Sequence, residues 1–341
     1  MSRTSNGDDM AQRLRHTLQA EFDRLLQQKP GPGGAWGAAN DALNRFAARP
    51  VLCQFGDRLV LAYGVFVSLG FGAGVFYWLY LIAHRFHQPL PAVLPILGLV
   101  PAAYLGSRGL YLVERQLAVR LGQTRVAARG NAFYGGVLGA LFYLVVIFRN
   151  DLRTLLFLLD CAAPTLALIY AFVKMGCLSY GCCPGRITDA RLAVTYMSKI
   201  NKAVGHYRLR GLRLHPLQVY EAIFGVALFA LLSLQPAAAF GTGRSFGWFL
   251  VSFSVGRAIF VHFRYRFPGE RANTIVWGVL NVALVATGIV ILSGAAVRRG
   301  AGPPEAALST EPASLVLLLG VSAAVVVVGV WLFAIQHRDM V

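Results

Sequence analysis

Acidic residues are scarce in this chain: 15 Asp and Glu stand against 32 Lys and Arg in 341 residues, giving a net charge of +17. Lysine is scarcer still, limited to Lys29, Lys174, Lys199 and Lys202, so arginine carries nearly all of the excess. Charged residues together reach only 14% against 56% apolar, with a mean hydropathy of +0.57. That balance excludes an ordinary soluble domain and points to a polytopic membrane protein. The basic residues fall in loops between apolar runs. Such placement suits anionic lipid head groups, at about 1 kcal/mol per basic residue near the surface, so no nucleic-acid partner is expected. Cysteine is confined to Cys53, Cys161, Cys177, Cys182 and Cys183. Two of these are adjacent, which excludes a secreted disulfide framework. No cleavable signal peptide is expected either, because residues 1–50 are polar and mixed in charge.

What is present is a succession of apolar runs behind a polar tail. Met10, Leu14, Leu18, Phe22 and Leu25 recur at spacings of three and four, which predicts an interfacial amphipathic helix. "KPGPGGAWG" (Lys29–Gly37) then breaks it, so residues 1–57 read as tail and linker. Membrane spans need roughly 20 apolar residues. The runs that qualify are Leu59–Ala83, Leu90–Val113, Ala132–Phe148, Leu155–Met175, Leu217–Leu234, Phe246–Phe263, Thr274–Ser293 and Ser314–Ile335. The expected fold is therefore an all-α polytopic membrane helix bundle. Residues 58–295 would form its core of about seven spans, and 296–341 a loop with one extra C-terminal span. Arg and Lys cluster in the tail, in 115–129, in 174–213 and in 264–271, all on one side of the membrane by this count. The positive-inside rule makes that side cytoplasmic, although a basic surface for lipid head groups produces the same asymmetry.

The polar residues at the span mouths are the candidates for chemistry. Between Arg58 and Pro268 the only acids are Glu114, Asp151, Asp160, Asp189 and Glu221. Asp160 and Glu221 fall within or beside apolar spans, where an unpaired carboxylate costs several kcal/mol. For Asp160 a structural ion pair with an arginine of a neighbouring helix is the preferred reading. Pro216 suits a first helical position, which makes His215 a cap-side residue and sets Gln218 and Glu221 one turn apart on one face. Tyr220 completes that patch. Arg257 and Arg108 lie within apolar spans, where a guanidinium must meet an acid, carbonyls or a phosphate. Gly135 and Gly136 permit close helix packing or backbone approach to a ligand. Gly176–Arg186, "GCLSYGCCPGR", reads as a Gly/Cys turn that ends the fourth span. Its C-x4-C-C spacing fits no common zinc pattern, so no metal is expected and its cysteines read as packing residues.

The order of these pieces resembles the prolipoprotein diacylglyceryl transferase family. That family shows G-x-R-x-x-Y, F-H-G-G-x-x-G, D-x-x-A-P, G-R-x-G-N-F-x-N-G-E-x-x-G-R, R-H-P-x-Q-x-Y-E and a Y-x-x-x-R-F span. This chain has "GSRGLY" with Arg108, "FYGGVLG" at 133–139, "DCAAP" at 160–164, "VKMGCLSYGCCPGR" at 173–186, "RLHPLQVYEA" at 213–222 and "FSVGR" ending at Arg257. Arg186, His215, Gln218, Tyr220, Glu221 and Arg257 keep the pattern. Tyr134 stands where the family has histidine, Lys174 where it has arginine, Cys177 for asparagine, Cys182 for glutamate and Phe253 for tyrosine. The resemblance implies transfer of diacylglyceryl from phosphatidylglycerol, or another anionic phospholipid, to a lipobox cysteine in the signal-peptide region of a prolipoprotein. It implies a multi-pass protein of the bacterial inner (plasma) membrane, with the site on the non-cytoplasmic side and no cofactor. Arg257, Tyr134, His215 and Glu221 would be catalytic. Lys174, Arg186, Arg108, Gly135, Gly136, Gln218, Tyr220, Cys177 and Cys182 would bind substrate. The replacements leave two other readings open: a diverged paralogue with another acceptor or lipid, and a non-catalytic phospholipid-binding protein.

Overall fold

The computed structural model describes residues 34–85, 98–120, 133–265, 271–297 and 315–337. The expected tail helix, Met10–Leu25, lies outside the described residues. The chain begins with α1 (Ala35–Ala47), then β1 (Val51–Phe55), β2 (Arg58–Leu61) and α2 (Ala62–Tyr80), which ends in a π turn, Leu81–Arg85. A helical pair follows, α3 (Leu99–Arg120) and α4 (Phe133–Ile147), and then the long α5 (Leu152–Tyr180). A loop carries β3 (Val194–Thr195), the one-turn α6 (Lys202–Gly205) and β4 (Arg213–Leu214). Four helices complete the chain: α7 (Leu217–Ser233), α8 (Arg244–Phe260), α9 (Arg271–Val297) and α10 (Leu315–Gly329). After a second π turn, Val330–Ala334, comes β5 (Ile335–His337). Among the described residues, four helical stretches are long and apolar enough to cross a membrane, 62–83, 152–180, 244–263 and 277–294, and shorter apolar helices accompany them. This is a polytopic, mostly helical membrane protein.

The helix α5 is the axis of the bundle, in contact with α2, α7 and α8. Asp151 caps its start by accepting from Thr154 N at 3.0 Å, and Gly181, left-handed at φ 68°, caps its end. The sequence pattern places a break at Gly176. The helix instead runs through Cys177 to Tyr180, because Gly176 is a contact residue: a Cβ there would stand 2.9 Å from the Tyr63 carbonyl on α2. Phe157, Leu158 and Leu159 of α5 share a buried cluster with Phe246, Phe249 and Phe253 of α8, and α7 adds Leu228 and Leu232. Burying side chains of this size contributes about 1.5–3 kcal/mol each in water; inside a bilayer close packing supplies the equivalent.

Asp160 is fully buried on α5, and its partners correct the expected arginine pair. Its Oδ2 accepts from Gly241 N at 2.9 Å and Gly243 N at 2.8 Å, and its Oδ1 from Phe246 N at 2.9 Å. Gly243 is the N-cap of α8, so Asp160 caps a neighbouring helix across the interface. Backbone N–H groups at a helix start are orphans in any case, and a carboxylate satisfies three of them without a second buried charge.

Two small sheets depart from an all-α bundle. Strands β1 and β2 form a hairpin with Phe55 opposite Arg58, and Gly56 turns it at φ 56°. Gly-Asp in a two-residue loop is a hairpin signal that short, span-mouth strands make easy to overlook. Strand β5 then pairs with β2, Val60 opposite Ile335, so the end of the C-terminal helix is tied to the start of α2. Helix α2 closely approaches α10 and the π turn after it, because Gly72 faces Val326 and Gly64 faces the Ala334 backbone. The second pair, β3–β4, lies in the loop after α5. Helix α1, expected as part of the tail, docks on that loop. Asn40 donates to Arg191 O and accepts from Ala193 N, both at 2.9 Å, and Asn44 accepts from Thr195 N at 2.8 Å. Tyr196, Leu214, Leu178 and Ala47 form a separate core beneath it.

Asp160→Ala leaves three buried N–H groups without an acceptor, at about 1–3 kcal/mol each. Thermal unfolding in detergent, followed by size-exclusion fluorescence, is expected to show a large loss of midpoint temperature and a milder one for Asp160→Asn. An unchanged midpoint for Asp160→Ala would refute the capping role.

Candidate functional site

The site forms where the C-terminal half of α5 meets the start of α7 and the end of α8. Pro216 is the N-cap of α7, so Gln218 and Glu221 fall in its first turns, on one face, and both are buried. Glu221 Oε1 accepts from Tyr170 Oη at 2.9 Å and from Arg257 Nη1 at 2.8 Å. Its Oε2 lies 2.7 Å from Lys174 Nζ. Tyr170 and Lys174 are i and i+4 on α5, and the ammonium also lies 5.0 Å from the Tyr170 ring centroid. The Arg257 guanidinium stands 5.0 Å above the Trp277 ring of α9. Among the described residues, two cations thus converge on one carboxylate. Paired cations in a low-dielectric site can hold an anion strongly.

The turn after α5 is fixed to this cluster from above. Gln218 Nε2 donates to Cys182 O at 2.9 Å, and Tyr196 Oη donates to Leu178 O at 3.0 Å. The sulfurs of Cys177, Cys182 and Cys183 lie within 4.8 Å of one another. Cys183 holds a left-handed φ of 54°, and Arg264 Nη2 donates to its sulfur at 3.2 Å. Asn201 ties the loop to the end of α5, donating to Ser179 O at 2.8 Å and Ala47 O at 3.3 Å.

His215 sits at the mouth. Its backbone N donates to Arg186 O at 2.9 Å, and its ring packs edge-on to Phe263 at 5.7 Å and near Tyr220 at 6.3 Å. Nδ1 is buried with no hydrogen-bond partner among the described residues. Burial, and then the positive charge of Arg186, pulls the imidazole below its ordinary pKa, so it is neutral at neutral pH. The Arg186 side chain is exposed and stands outside the buried cluster.

The remaining predicted residues gather elsewhere. Arg108 is half-buried on α3 with its guanidinium 6.0 Å from the Tyr111 ring. Gly135 faces the Gly106 backbone, so it serves the packing of α3 on α4; Gly136 is looser, since a Cβ there would stand 3.4 Å from Ala103 O. The Tyr134 side chain lies outside the described residues. Two members of the cluster escaped the sequence reading. Tyr170 was findable, since it is four residues before Lys174 on a helix and so on the same face. Arg264, in a basic loop, carries no signal that separates it from its neighbours.

Removing the carboxylate while both cations stay is the costly change. Glu221→Ala is expected to destabilise by about 3–5 kcal/mol, as for a buried ion pair that loses one partner. Lys174→Met combined with Glu221→Ala should recover part of that loss in a double-mutant thermal-shift cycle; strictly additive effects would rule out the coupling.

Comparison with known proteins agrees with the order of these motifs. Residues 50–298 match the family model described as prolipoprotein diacylglyceryl transferase. The chain is 25% identical over 218 residues to the phosphatidylglycerol–prolipoprotein diacylglyceryl transferase of Clostridium tetani, covering 62% of this chain and 83% of that protein. It is 28% identical over 255 residues to the enzyme of that name in Glaesserella parasuis, covering 71% and 91%. With the one in Tolumonas auensis it shares 28% over 256 residues, covering 72% and 95%. The match spans the helices that build the Glu221 cluster as well as the loop that covers it, and the chain belongs to the prolipoprotein diacylglyceryl transferase family.

Proposed function

We propose that this protein transfers a diacylglyceryl group from phosphatidylglycerol to the lipobox cysteine of a prolipoprotein. The observation that supports the reading is the Lys174–Glu221–Arg257 cluster: a buried site where two cations meet one carboxylate, at positions where the family has its signature. A phosphodiester head group offers the anionic oxygens that such cations hold. In the reaction the acceptor thiol loses its proton and its sulfur forms a bond to the glyceryl carbon. The carbon–oxygen bond to phosphate breaks, and the electron pair leaves on the oxygen as glycerol phosphate. Arg257 holds the phosphate and stabilises the charge that develops there, where a preorganised cation in a dry site is most effective. Glu221, with both oxygens engaged, positions Arg257 and Lys174. Neutral His215, at the mouth, is the better placed proton acceptor.

The protein is read as resident in the bacterial inner membrane, with seven family-like spans, an added C-terminal span, and the site on the non-cytoplasmic face. The arginine-rich loops then form a surface for anionic head groups. A cysteine introduced by Ser5→Cys reports the tail's side. Labelling of that cysteine by a membrane-impermeant maleimide in intact cells is expected; protection until lysis would reverse the orientation.

A second reading is favoured by Cys177 and Cys182, which replace the family's asparagine and glutamate: a paralogue with another acceptor or another anionic lipid. A transfer assay with phosphatidylglycerol vesicles and a lipobox peptide separates the two. Under the main reading Arg257→Ala lowers turnover by about 10²–10³-fold with the protein still folded, since Lys174 and Glu221 remain as a neutral pair. Wild-type turnover in that variant would eliminate the clamp. No turnover, with a different co-purified lipid, would favour the paralogue. Run across pH, the same assay should lose activity only below the ordinary histidine range, because His215 protonates late; Glu, His and buffer effects are separated by the loss of that acid limb in His215→Gln.

A further inference from the structure

Cys177 and Cys182 stand at positions expected to bind substrate, yet the transfer step itself uses none of the three thiols beside the site. Cys177 is buried near the end of α5, while Cys182 and Cys183 follow the helix cap and are half-buried. Adjacent side chains of an extended chain point to opposite faces. Here the left-handed residues Gly181 and Cys183, at φ 68° and 54°, fold the chain back, and all three sulfurs fall within 4.8 Å of one another. Three thiolates bound to one ion at about 2.3 Å would be about 4 Å apart, a small contraction from that arrangement. All are free thiols. Their ligand set contains only sulfur, which selects a thiophilic ion over Mg²⁺, Ca²⁺ or Mn²⁺.

The surroundings fit a negatively charged metal–thiolate group. Arg264 Nη2 already donates to Cys183 Sγ at 3.2 Å, as a second-sphere donor to a ligating sulfur would. Lys174 lies one helical turn before Cys177, and Gln218 holds the Cys182 carbonyl at 2.9 Å, which fixes the turn that carries two of the ligands. The sequence spacing C-x4-C-C hides the site, because it is assembled by a helix end and a reversed turn and not by a zinc-knuckle loop.

We propose that Cys177, Cys182 and Cys183 form a binding site for a single thiophilic d¹⁰ cation, Zn²⁺ or Cu⁺. Binding replaces the S–H bonds by S–metal bonds and releases the protons to solvent, with no change of oxidation state. Zn²⁺ would retain an open fourth position, whereas Cu⁺ would be satisfied by the three sulfurs. The inference does not depend on the transfer reaction, since it concerns metal content alone.

The test uses the full-length protein in detergent, purified under reductant without a histidine tag and offered Zn²⁺ or, in a separate arm, Cu⁺ held by a competing chelator. Elemental analysis should find about one metal per chain in the wild type, and Cys182→Ser or Cys183→Ser should each lower the content about tenfold or more. Cys53→Ser and Cys161→Ser should leave it unchanged. So that a misfolded serine variant does not decide the outcome, the wild type is also probed directly. Metal should shield three thiols from alkylation, and a chelator should re-expose them. Metal content equal in wild type and the Cys182→Ser and Cys183→Ser variants would overturn the site, as would three thiols alkylated equally with and without metal. A disulfide among the three in the reduced, metal-loaded protein would overturn it as well.

Discussion

Glu221 carries the interaction on which the arrangement of this bundle depends. A carboxylate at that depth, 1% exposed, is untenable alone, and its partners come from two other helices: Tyr170 and Lys174 from α5, Arg257 from α8. One acid therefore fixes the mutual positions of three elements. The cost of desolvating three charges is offset by short contacts on both oxygens, and the pairing is specific because an α7 shifted by one residue would turn the carboxylate away.

A second anchor works with it. Asp160 and Lys174 are fourteen residues apart on α5, about 21 Å at 1.5 Å per residue. Asp160 holds the first turn of α8, while Lys174 reaches Arg257 near its end through Glu221. The two helices are thus parallel and pinned at both ends. Helix α7 runs the opposite way between these anchors, with Gly225 set against Ala167 and Ala171 of α5. The two polar anchors differ in kind. The Asp160 anchor is saturated by backbone N–H groups and keeps no capacity for a ligand. The Glu221 anchor joins two cations to one carboxylate among the described residues and sits beneath the loop that follows α5. The same helix carries one polar group for architecture and another within the candidate site.

Much of this was legible from residue order. The apolar runs located the helices because twenty apolar residues have few other fates, and the scarcity of acids made Glu221 conspicuous. What the order of residues concealed has physical causes. Gly176 looks like a helix stop, yet it is a contact glycine, and only the packing of α2 reveals that. Asp160 suggests an arginine because charge is the visible property of a side chain, while the N–H groups of Gly241, Gly243 and Phe246 leave no mark in the sequence. Asn40 and Asn44 read as tail residues, since nothing local announces that their amides complete the hydrogen bonding of a loop some 150 positions later. Gly135 and Arg108 share the motifs of the site but reside on the α3–α4 pair, where the glycine's part is packing.

Lys174 bears most directly on how the site works. Arginine offers a planar fork that grips two oxygens at once, whereas an ammonium is a point charge. Here the ammonium spends its shortest contact on one oxygen of Glu221 and rests against the Tyr170 ring. A fork at that place would compete with Arg257 for the same carboxylate. With lysine there, the division of labour is defined: Lys174 neutralises Glu221, and Arg257, with 11% of its side chain accessible against 6% for Lys174, is the cation that faces the outside. Under the proposed function, an anionic head group meets the more exposed of the two cations, a guanidinium already oriented by the carboxylate behind it.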